Sequence, residues 1–532
     1  MCKGVLGLTK RKNSFVEGAF ILIAANLITK VIGALFKIPL GNLLGAEGMG
    51  VFSVAYNVYT TLFVIATAGL PVAISKLVAE CLATGRQEET GRVLRVSLAA
   101  FSLFGLAAAA LLWLGADQLT AWVGNPMAAL AVRAVAPSLL FVSVLAVIRG
   151  YYQGLSDMVP TAVSQVLEAL GKLLVGYGAA CLLLGKGFGL PVVAAGAIGG
   201  VTFGSALSTV YLVGRCWKGR QAGRARDCRT PRRRILARIV SFAIPVTVGA
   251  SVMSLTSLID MTMVMNRLQD IGFSAKAANE LYGSYSLAVT LFTLPQTLVM
   301  ALAVSIVPVA SAYYARGGGP AARKPVETGL RIAALIALPS SLGFVLLAEP
   351  ILDLIYYSRP VESAAAAPLL AILGCAVFFV ALVSLTNSVL QAVGRAHIPV
   401  YTMVAGALVK LAVNYLLVGM PWVNICGAPA GTVLCYATIS VLNLAALRQA
   451  GIPVAYGRIY LRPLAATGLM GAFIQLIRLP VLGYLGARAG VVAVICLAAL
   501  FYGLMLLALG AVPREDLQLL PGGERLCRLL RL

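Results

Sequence analysis

Two segments of this chain repeat each other at a separation of 238 residues, and this repeat restricts the folds that the chain can adopt. The shared residues are Phe141, Val142, Gln153, Ala169, Leu170, Lys172, Leu173, Val175 and Tyr177 in the first copy, and Phe379, Val380, Gln391, Ala407, Leu408, Lys410, Leu411, Val413 and Tyr415 in the second. A shorter match, between Pro71-Val72-Ala73 and Pro308-Val309-Ala310, has nearly the same separation. The chain is therefore predicted to contain two related halves, each with a lysine inside an apolar segment.

The composition is that of an integral membrane protein. Hydrophobic residues make up 60% of the chain and charged residues only 11%, which excludes an ordinary soluble domain. The alternation typical of membrane β-strands is absent from the sequence, so the predicted fold is all-α. Windows of roughly 20 residues give about fourteen transmembrane spans. These spans lie near 15–40, 49–72, 93–115, 127–149, 159–184, 190–214, 239–266, 281–312, 326–348, 366–392, 399–420, 425–447, 460–479 and 489–511.

Basic residues are concentrated on one side of the predicted spans. The net charge is +23, and the loops of the opposite side hold only six of the 42 Lys and Arg residues: Lys186, Arg267, Lys276, Arg359, Arg478 and Arg488. This asymmetry predicts that both termini face the cytoplasm and that the basic loops contact anionic lipids. No nucleic-acid-binding pattern accompanies the charge, so a nucleic-acid partner is not expected.

The repeat and the densest basic run predict the domain organisation. We expect two pseudo-symmetric lobes of six helices, joined by a basic cytoplasmic linker and followed by two further helices. The predicted boundaries are 1–214 for the N-lobe, 215–238 for the linker, 239–449 for the C-lobe, 450–511 for the last two spans and 512–532 for a cytoplasmic tail. The protein is expected to be a monomer in the bacterial plasma membrane.

Three lysines lie deep in the predicted spans. Lys30, Lys172 and Lys410 are about ten residues or more from a span end, beyond the reach of a snorkelling side chain. An ionised group at the bilayer centre costs roughly 2.5–3.5 kcal/mol on insertion scales, so these lysines are expected to face a bundle interior or an aqueous cavity. Lys37 and Arg133 lie nearer to span ends, and for them a simple interfacial position is an equal alternative.

The balance of deep charges favours an anionic ligand. The three lysines are accompanied by one deep acid, Glu168, with Asp260 further out. Glu168 and Lys172 are four residues apart, which also allows a purely structural ion pair between them. A cavity lined mainly by lysine attracts anions, and phosphate or diphosphate is the expected group on a membrane-embedded substrate.

No motif of an enzyme is present. The sequence lacks a Walker loop, GxSxG and HExxH, and it contains a single histidine, His397, and scattered cysteines. We therefore expect no catalytic residues, no metal site and no cofactor. Transport would be driven by an Na⁺ or H⁺ gradient, the membrane potential or substrate supply.

Several motifs resemble stage V sporulation protein B and its relatives, which form the polysaccharide-transporter branch of the multidrug/oligosaccharidyl-lipid/polysaccharide (MOP) exporter superfamily. They are Asn26-Leu-Ile-Thr-Lys30-Val-Ile-Gly33, Leu43-Leu-Gly45-Ala-Glu47-Gly-Met-Gly50, Ala68-Gly-Leu-Pro71-Val-Ala-Ile-Ser75-Lys76, Gly150-Tyr-Tyr-Gln153-Gly, Pro160-Thr-Ala-Val-Ser-Gln165, Asn387-Ser-Val-Leu-Gln391 and Asn424-Ile-Cys-Gly427-Ala-Pro-Ala-Gly-Thr432. The resemblance implies a two-lobed exporter of fourteen helices that moves lipid-linked sugars. The lipid II flippase is a more distant relative.

The resemblance also implies roles for individual residues. Lys30 and Lys37 match positions of cavity-facing arginines in the first helix of the lipid II flippase, whereas its helix-eight arginine has no charged counterpart between Ser286 and Pro295. Some such flippases bind sodium at positions matched by Asp260, Lys410 and Asn414, where the Lys410 ammonium would replace the ion. The predicted cavity and substrate-binding residues are Lys30, Lys37, Lys172, Lys410, Glu168 and Asn26, and the predicted ion-coupling or counter-charge residues are Asp260 and Asn414.

The predicted function is a flippase for an undecaprenyl-diphosphate-linked oligosaccharide or peptidoglycan precursor, working by alternating access through a cationic cavity. Two alternatives remain open at this point. An ion-coupled multidrug or metabolite antiporter of the same superfamily is one, and a non-transporting membrane scaffold is the other. A cationic cavity repels cationic drugs, and a scaffold has no need of deep lysines.

Overall fold

The computed structural model describes residues 2–220 and 231–511. Within these ranges the chain is almost entirely helical and has no β-strand, which confirms the predicted all-α fold. The predicted linker 215–238 is described in part, and the predicted tail 512–532 lies outside the described residues. The helices are α1 (Cys2–Thr67), α2 (Leu70–Ala83), α3 (Gln87–Leu114), α4 (Ala116–Trp122), α5 (Ala129–Val135), α6 (Ser138–Gly154), α7 (Val159–Gly171), α8 (Tyr177–Gly185), α9 (Leu190–Arg220), α10 (Arg232–Asp270), α11 (Ala275–Ile355), α12 (Pro360–Ala392), α13 (His397–Val418), α14 (Gly427–Gln449) and α15 (Tyr456–Ala508).

Two of the long helices change direction at a glycine. Gly45 in α1 has φ 63° and Gly486 in α15 has φ 75°, in the left-handed region where a side chain is disfavoured. Each of these helices contains two predicted spans, 15–40 with 49–72 and 460–479 with 489–511. The glycines thus lie between consecutive predicted spans.

The described helices include ten that are long and apolar enough to cross a membrane. The number rises to as many as twelve if each of two bent pairs is counted as one span. One pair is Pro126–Val135 with Ser138–Gly154, and the other is Arg232–Val248 with Ala250–Asp270. The total of about fourteen spans stays a prediction.

The chain divides into two compact units, Met1–Ser286 and Leu287–Leu532. In the first unit, α6 packs against α2 and α3, and α9 packs against α5, α6 and α7. In the second unit, α14 packs against α12 and α13. The first copy of the sequence repeat lies on α6 and α7 and in the segment after α7, and the second lies on α12 and α13. The predicted division into lobes of six helices stays a prediction.

Glycines bring α7 and α9 into close contact in the first unit. A Cβ atom at Gly171 would lie 2.5 Å from the Cα atom of Gly204, so neither position has room for a side chain. Close approach through small residues is a common way to pack helices in lipid, where water exclusion supplies no driving force. This contact lies next to Glu168 and Lys172 and fixes the backbone that carries them.

Candidate functional site

A cavity of about 240 Å³ lies in the first unit between α1, α6, α7 and α9. The polar and aromatic residues of its lining include Asn26, Tyr56, Arg149, Gln165, Glu168 and Lys172. Three of the predicted site residues, Asn26, Glu168 and Lys172, therefore meet at one cavity. Lys172, which was predicted to face a polar space inside the bundle, lies in this lining, and its role at the cavity stays a prediction.

Two lysine ammonium groups are held on an aromatic surface beside the cavity. Lys172 Nζ donates a hydrogen bond to the Tyr56 hydroxyl at 3.3 Å, and it lies 4.4 Å from the centroid of the Tyr56 ring and 5.0 Å from that of Phe36. Lys37 Nζ lies 4.9 Å from the centroid of the same Tyr56 ring. Cation–π contacts of this kind stabilise a positive charge without neutralising it, so the charge stays available to an anion.

Lys172 is the first residue of a π-helical segment. The segment, Lys172–Gly176, interrupts the α-helical hydrogen bonding between α7 and α8. Short π-helical segments are frequent at functional sites because the altered register turns side chains away from their α-helical direction. The matching lysine of the second repeat, Lys410, lies within the uninterrupted helix α13. The two halves therefore differ in backbone at the repeated lysine.

The acid of the cavity is neutralised by an arginine rather than by a lysine. Glu168 Oε2 accepts a hydrogen bond from Arg149 Nη2 at 2.9 Å, and Oε1 accepts one from Ser205 Oγ at 3.2 Å. Arg149 Nε in turn donates to Ser164 Oγ at 2.9 Å. The two charged side chains are only 10% and 18% exposed. The alternative in which Glu168 pairs with Lys172 is thus not the arrangement in the structure, and no carboxylate of this cavity lining pairs with Lys172.

The other predicted site residues occupy separate positions. Lys30 is exposed on α1, and Asp260 is buried on α10. Lys410 is half-buried and Asn414 is buried, both on α13 of the second unit. The roles assigned to these four residues stay predictions.

Arg149 is the charged residue of this cavity lining that was not predicted from the sequence. The predicted span ended at residue 149, which placed its guanidinium in a cytoplasmic loop. In the structure α6 continues to Gly154, so Arg149 lies inside the helix and is 9% exposed. The sequence did contain a signal, because Arg149 lies 238 residues before Asn387, a polar residue near the end of an apolar helix.

The second unit has a polar network at the matching positions. Adding 238 to Arg149, Ser164 and Ser205 gives Asn387, Thr402 and Asn443. These three side chains are also linked, because Asn443 Nδ2 donates to Asn387 Oδ1 at 2.8 Å and Thr402 Oγ1 donates to Asn443 Oδ1 at 2.8 Å. Glu168 is matched by Gly406. The duplicated halves therefore share a three-helix polar network that is charged in the first unit and neutral in the second.

Comparison with known proteins assigns the chain to a family. The chain belongs to the polysaccharide biosynthesis protein family, whose model matches residues 15–314. The model of the MatE family also matches, over residues 245–416. The predicted membership of the polysaccharide-transporter branch of the MOP superfamily is confirmed.

Individual relatives cover most of the chain. An uncharacterized membrane protein of Bacillus subtilis, YabM, is 25% identical over 97% of this chain and 96% of its own length. Stage V sporulation protein B of the same organism is 26% identical over 82% of this chain and 84% of its own length. The solved structure of the lipid II flippase MurJ in an inward closed conformation has a TM-score of 0.66 and 14% identity, and the match covers 92% of this chain and 97% of that one.

These findings confirm three predictions. The fold is that of a MOP-superfamily flippase or transporter, and the chain is a multi-pass membrane protein. The prediction of a transporter rather than an enzyme is confirmed by the family and by the relatives, which include the lipid II flippase MurJ of Bacillus subtilis, 23% identical over 80% of this chain.

Proposed function

We propose that the protein translocates an undecaprenyl-diphosphate-linked oligosaccharide or peptidoglycan precursor across the plasma membrane. The observation that carries this proposal is the pair of ammonium groups, Lys37 and Lys172, on the Tyr56 ring beside a cavity whose acid is already bound by Arg149. The site therefore offers an anion about two positive charges that no carboxylate of the site balances. The likeness to a lipid II flippase supports a lipid-linked substrate.

The proposed mechanism uses the lysines as point charges for phosphate. An entering diphosphate displaces the Tyr56 hydroxyl from Lys172. The ammonium then donates to an ionised phosphate oxygen instead of a neutral hydroxyl oxygen. The two lobes then rock by alternating access, with Lys30 and Lys410 adding positive charge along the route. The proposed ion-coupling or counter-charge residues are Asp260 and Asn414, with the Lys410 ammonium taking the role of a cation. Both termini face the cytoplasm in this proposal, and the monomer is the transporting unit.

The match to the MatE family favours a second candidate, an ion-coupled multidrug or metabolite antiporter. Such an antiporter needs a carboxylate that can bind a cationic drug or exchange an ion. Glu168 is poorly suited to this task, because Arg149 and Ser205 already occupy its oxygens. Uptake assays with organic cations distinguish this candidate from a flippase.

The test is a flipping assay in proteoliposomes with a panel of polyprenyl-diphosphate sugars. Lys172→Gln should lower the rate by roughly 10- to 100-fold, because a charge-assisted hydrogen bond to phosphate is lost. Lys172→Arg should keep most of the activity. Lys186→Gln is the matched control, because this lysine lies in an exposed loop after α8. Full activity of Lys172→Gln, or transport of organic cations in place of the lipid, would overturn the proposal.

A further inference from the structure

A cavity of about 830 Å³ lies in the second unit, on the membrane side that is predicted to be opposite the termini. It is bounded by the last turns of α11, the first turns of α12 and the two parts of α15 before and after Gly486. Its described lining includes four charged residues, Glu349, Asp353, Arg478 and Arg488. This α11–α15 cavity therefore presents two negative and two positive groups to a ligand.

The two acids of the lining come from the C-terminal end of α11. Glu349 and Asp353 are four residues apart, so they lie on one face of the helix. Glu349 is exposed, and Asp353 Oδ1 accepts a hydrogen bond from the Ser363 hydroxyl at 2.5 Å. Like charges at this spacing repel each other, and the helix dipole also disfavours an acid in the last turn. A bound cation would offset both effects.

The two arginines of the lining come from α15. Arg478 Nη1 donates to the Leu346 carbonyl at 3.4 Å. This carbonyl needs a donor from outside its helix, because the residue four positions later is Pro350, which has no N–H. The guanidinium carbon of Arg488 lies 5.1 Å from the centroid of the Tyr357 ring. Both contacts are with neutral groups, and arginine stays protonated in proteins.

The lining continues from the charged end as an apolar surface of small residues on α12. Ala364, Ala367, Pro368 and Ala371 follow one another along one face of this helix. Ala371 lies eleven residues after Pro360, the first residue of α12, which is about 16 Å along the helix axis. One leaflet of the hydrocarbon core is about 15 Å thick. A ligand with a charged head and an apolar chain would contact both parts of the lining, whereas a small soluble ligand would contact only the charged end.

From this arrangement we infer that the α11–α15 cavity binds a zwitterionic phospholipid of the phosphatidylethanolamine class, in the leaflet opposite the termini. The phosphate would bind Arg478 and Arg488, since guanidinium groups form paired hydrogen bonds with phosphate oxygens. The primary ammonium would donate to the carboxylates of Glu349 and Asp353. A polyprenyl diphosphate has no ammonium group, and the same carboxylates would repel it. The inference is independent of the proposed function.

The test is a lipid titration of the purified full chain in detergent, followed by native mass spectrometry. The probes are dioleoyl phosphatidylethanolamine, dioleoyl phosphatidylglycerol, dioleoyl phosphatidylcholine and undecaprenyl diphosphate. The test variant is Glu349→Gln/Asp353→Asn. The matched control, Asp270→Asn/Glu280→Gln, removes two acids of the same predicted membrane side that form ion pairs outside the cavity.

We expect the unmodified chain to bind phosphatidylethanolamine roughly fivefold more tightly than phosphatidylglycerol or phosphatidylcholine. Phosphatidylglycerol lacks the ammonium group, and the quaternary ammonium of phosphatidylcholine has no N–H to donate. The test variant should lose this preference to within about twofold, because two exposed ion pairs account for it. The control variant should keep the preference. Arg488→Gln should weaken the binding of phosphatidylethanolamine and phosphatidylglycerol alike, by about two- to fivefold.

Three results would overturn the inference. Equal binding of phosphatidylethanolamine and phosphatidylglycerol by the unmodified chain would show that the acids bind no ammonium group. An equal loss of preference in the test and control variants would indicate a general effect of surface charge. Tighter binding of undecaprenyl diphosphate than of phosphatidylethanolamine, if lost in Arg488→Gln, would assign the cavity to an anionic lipid. If the double variant does not fold, Glu349→Gln alone should reduce the preference about twofold and gives the same test.

Discussion

Loss of the Arg149 guanidinium is expected to inactivate the transporter indirectly, by allowing Glu168 to capture Lys172. In the structure Glu168 is bound by Arg149 at 2.9 Å, and Lys172 contacts Tyr56 instead. Glu168 and Lys172 are four residues apart and line the same cavity, so Lys172 can serve as a replacement partner. In Arg149→Met the carboxylate would bind this ammonium and remove it from the substrate.

The size of the effect follows from the burial of the pair. Breaking a buried ion pair by removing one partner costs about 3–5 kcal/mol. Glu168 is 18% exposed and keeps its hydrogen bond from Ser205. We therefore expect Arg149→Met to lower the free energy of unfolding by about 2–3 kcal/mol, at or slightly below the lower limit of this range. Removing both charges in Arg149→Met/Glu168→Gln leaves no uncompensated group and should restore most of this loss.

The assay is a double-mutant cycle with two readouts, unfolding in a denaturing detergent and flipping in proteoliposomes. Arg149→Met alone should lose both stability and transport, and the double variant should regain both because Lys172 is released. If the double variant stays inactive while Lys172 is intact, Arg149 itself contacts the substrate and the capture argument is wrong. If Arg149→Met is as stable as the unmodified chain, the ion pair does not stabilise the fold.

Two further predictions concern the second unit and the glycine contact. Lys410→Asn should make transport newly dependent on sodium if the ammonium takes the role of a cation, and an unchanged response to sodium in the flipping assay would refute that role. Gly204→Ala should cost about 1–3 kcal/mol of unfolding free energy, because the new Cβ would overlap with the Glu168 carbonyl oxygen in the structure. Gly178→Ala, where the space is open, is its control and should be neutral or stabilising by up to about 1 kcal/mol. Equal stability of the two variants would contradict the tight contact.

Much of the architecture could be predicted from the sequence because membrane insertion leaves few alternatives. Apolar segments of sufficient length must be helical in lipid, and the repeat reports the duplication directly. The depth of Lys172 in its span was enough to predict that it faces a polar space. Each of these predictions follows from one constraint that acts along the chain, and none of them requires knowledge of the neighbouring helices.

The partners of the deep charges could not be predicted in the same way. Spacing along a helix suggested a pair between Glu168 and Lys172, but α6 brings Arg149 to the carboxylate from another helix. The π-helical segment that begins at Lys172 has no signature in hydropathy. The predicted span 127–149 also ended at Arg149, and for that reason Arg149 was assigned to a loop. These errors share one cause, because tertiary contacts decide which of several possible partners a buried charge takes.

The two polar networks distinguish what the packing of the three helices requires from what the cavity beside Lys172 requires. Asn387, Thr402 and Asn443 hold three helices of the second unit together without any charge. The same helix arrangement in the first unit therefore does not require an ion pair for its packing. A buried ion pair is seldom more stabilising than a neutral replacement, so stability is a weak explanation for Arg149 and Glu168. A lysine is present in both halves, whereas the ion pair and the π-helical segment occur at the first-unit copy, beside Lys172. Their joint occurrence favours a role in which Arg149 binds the Glu168 carboxylate, so that Lys172 remains available to an anion.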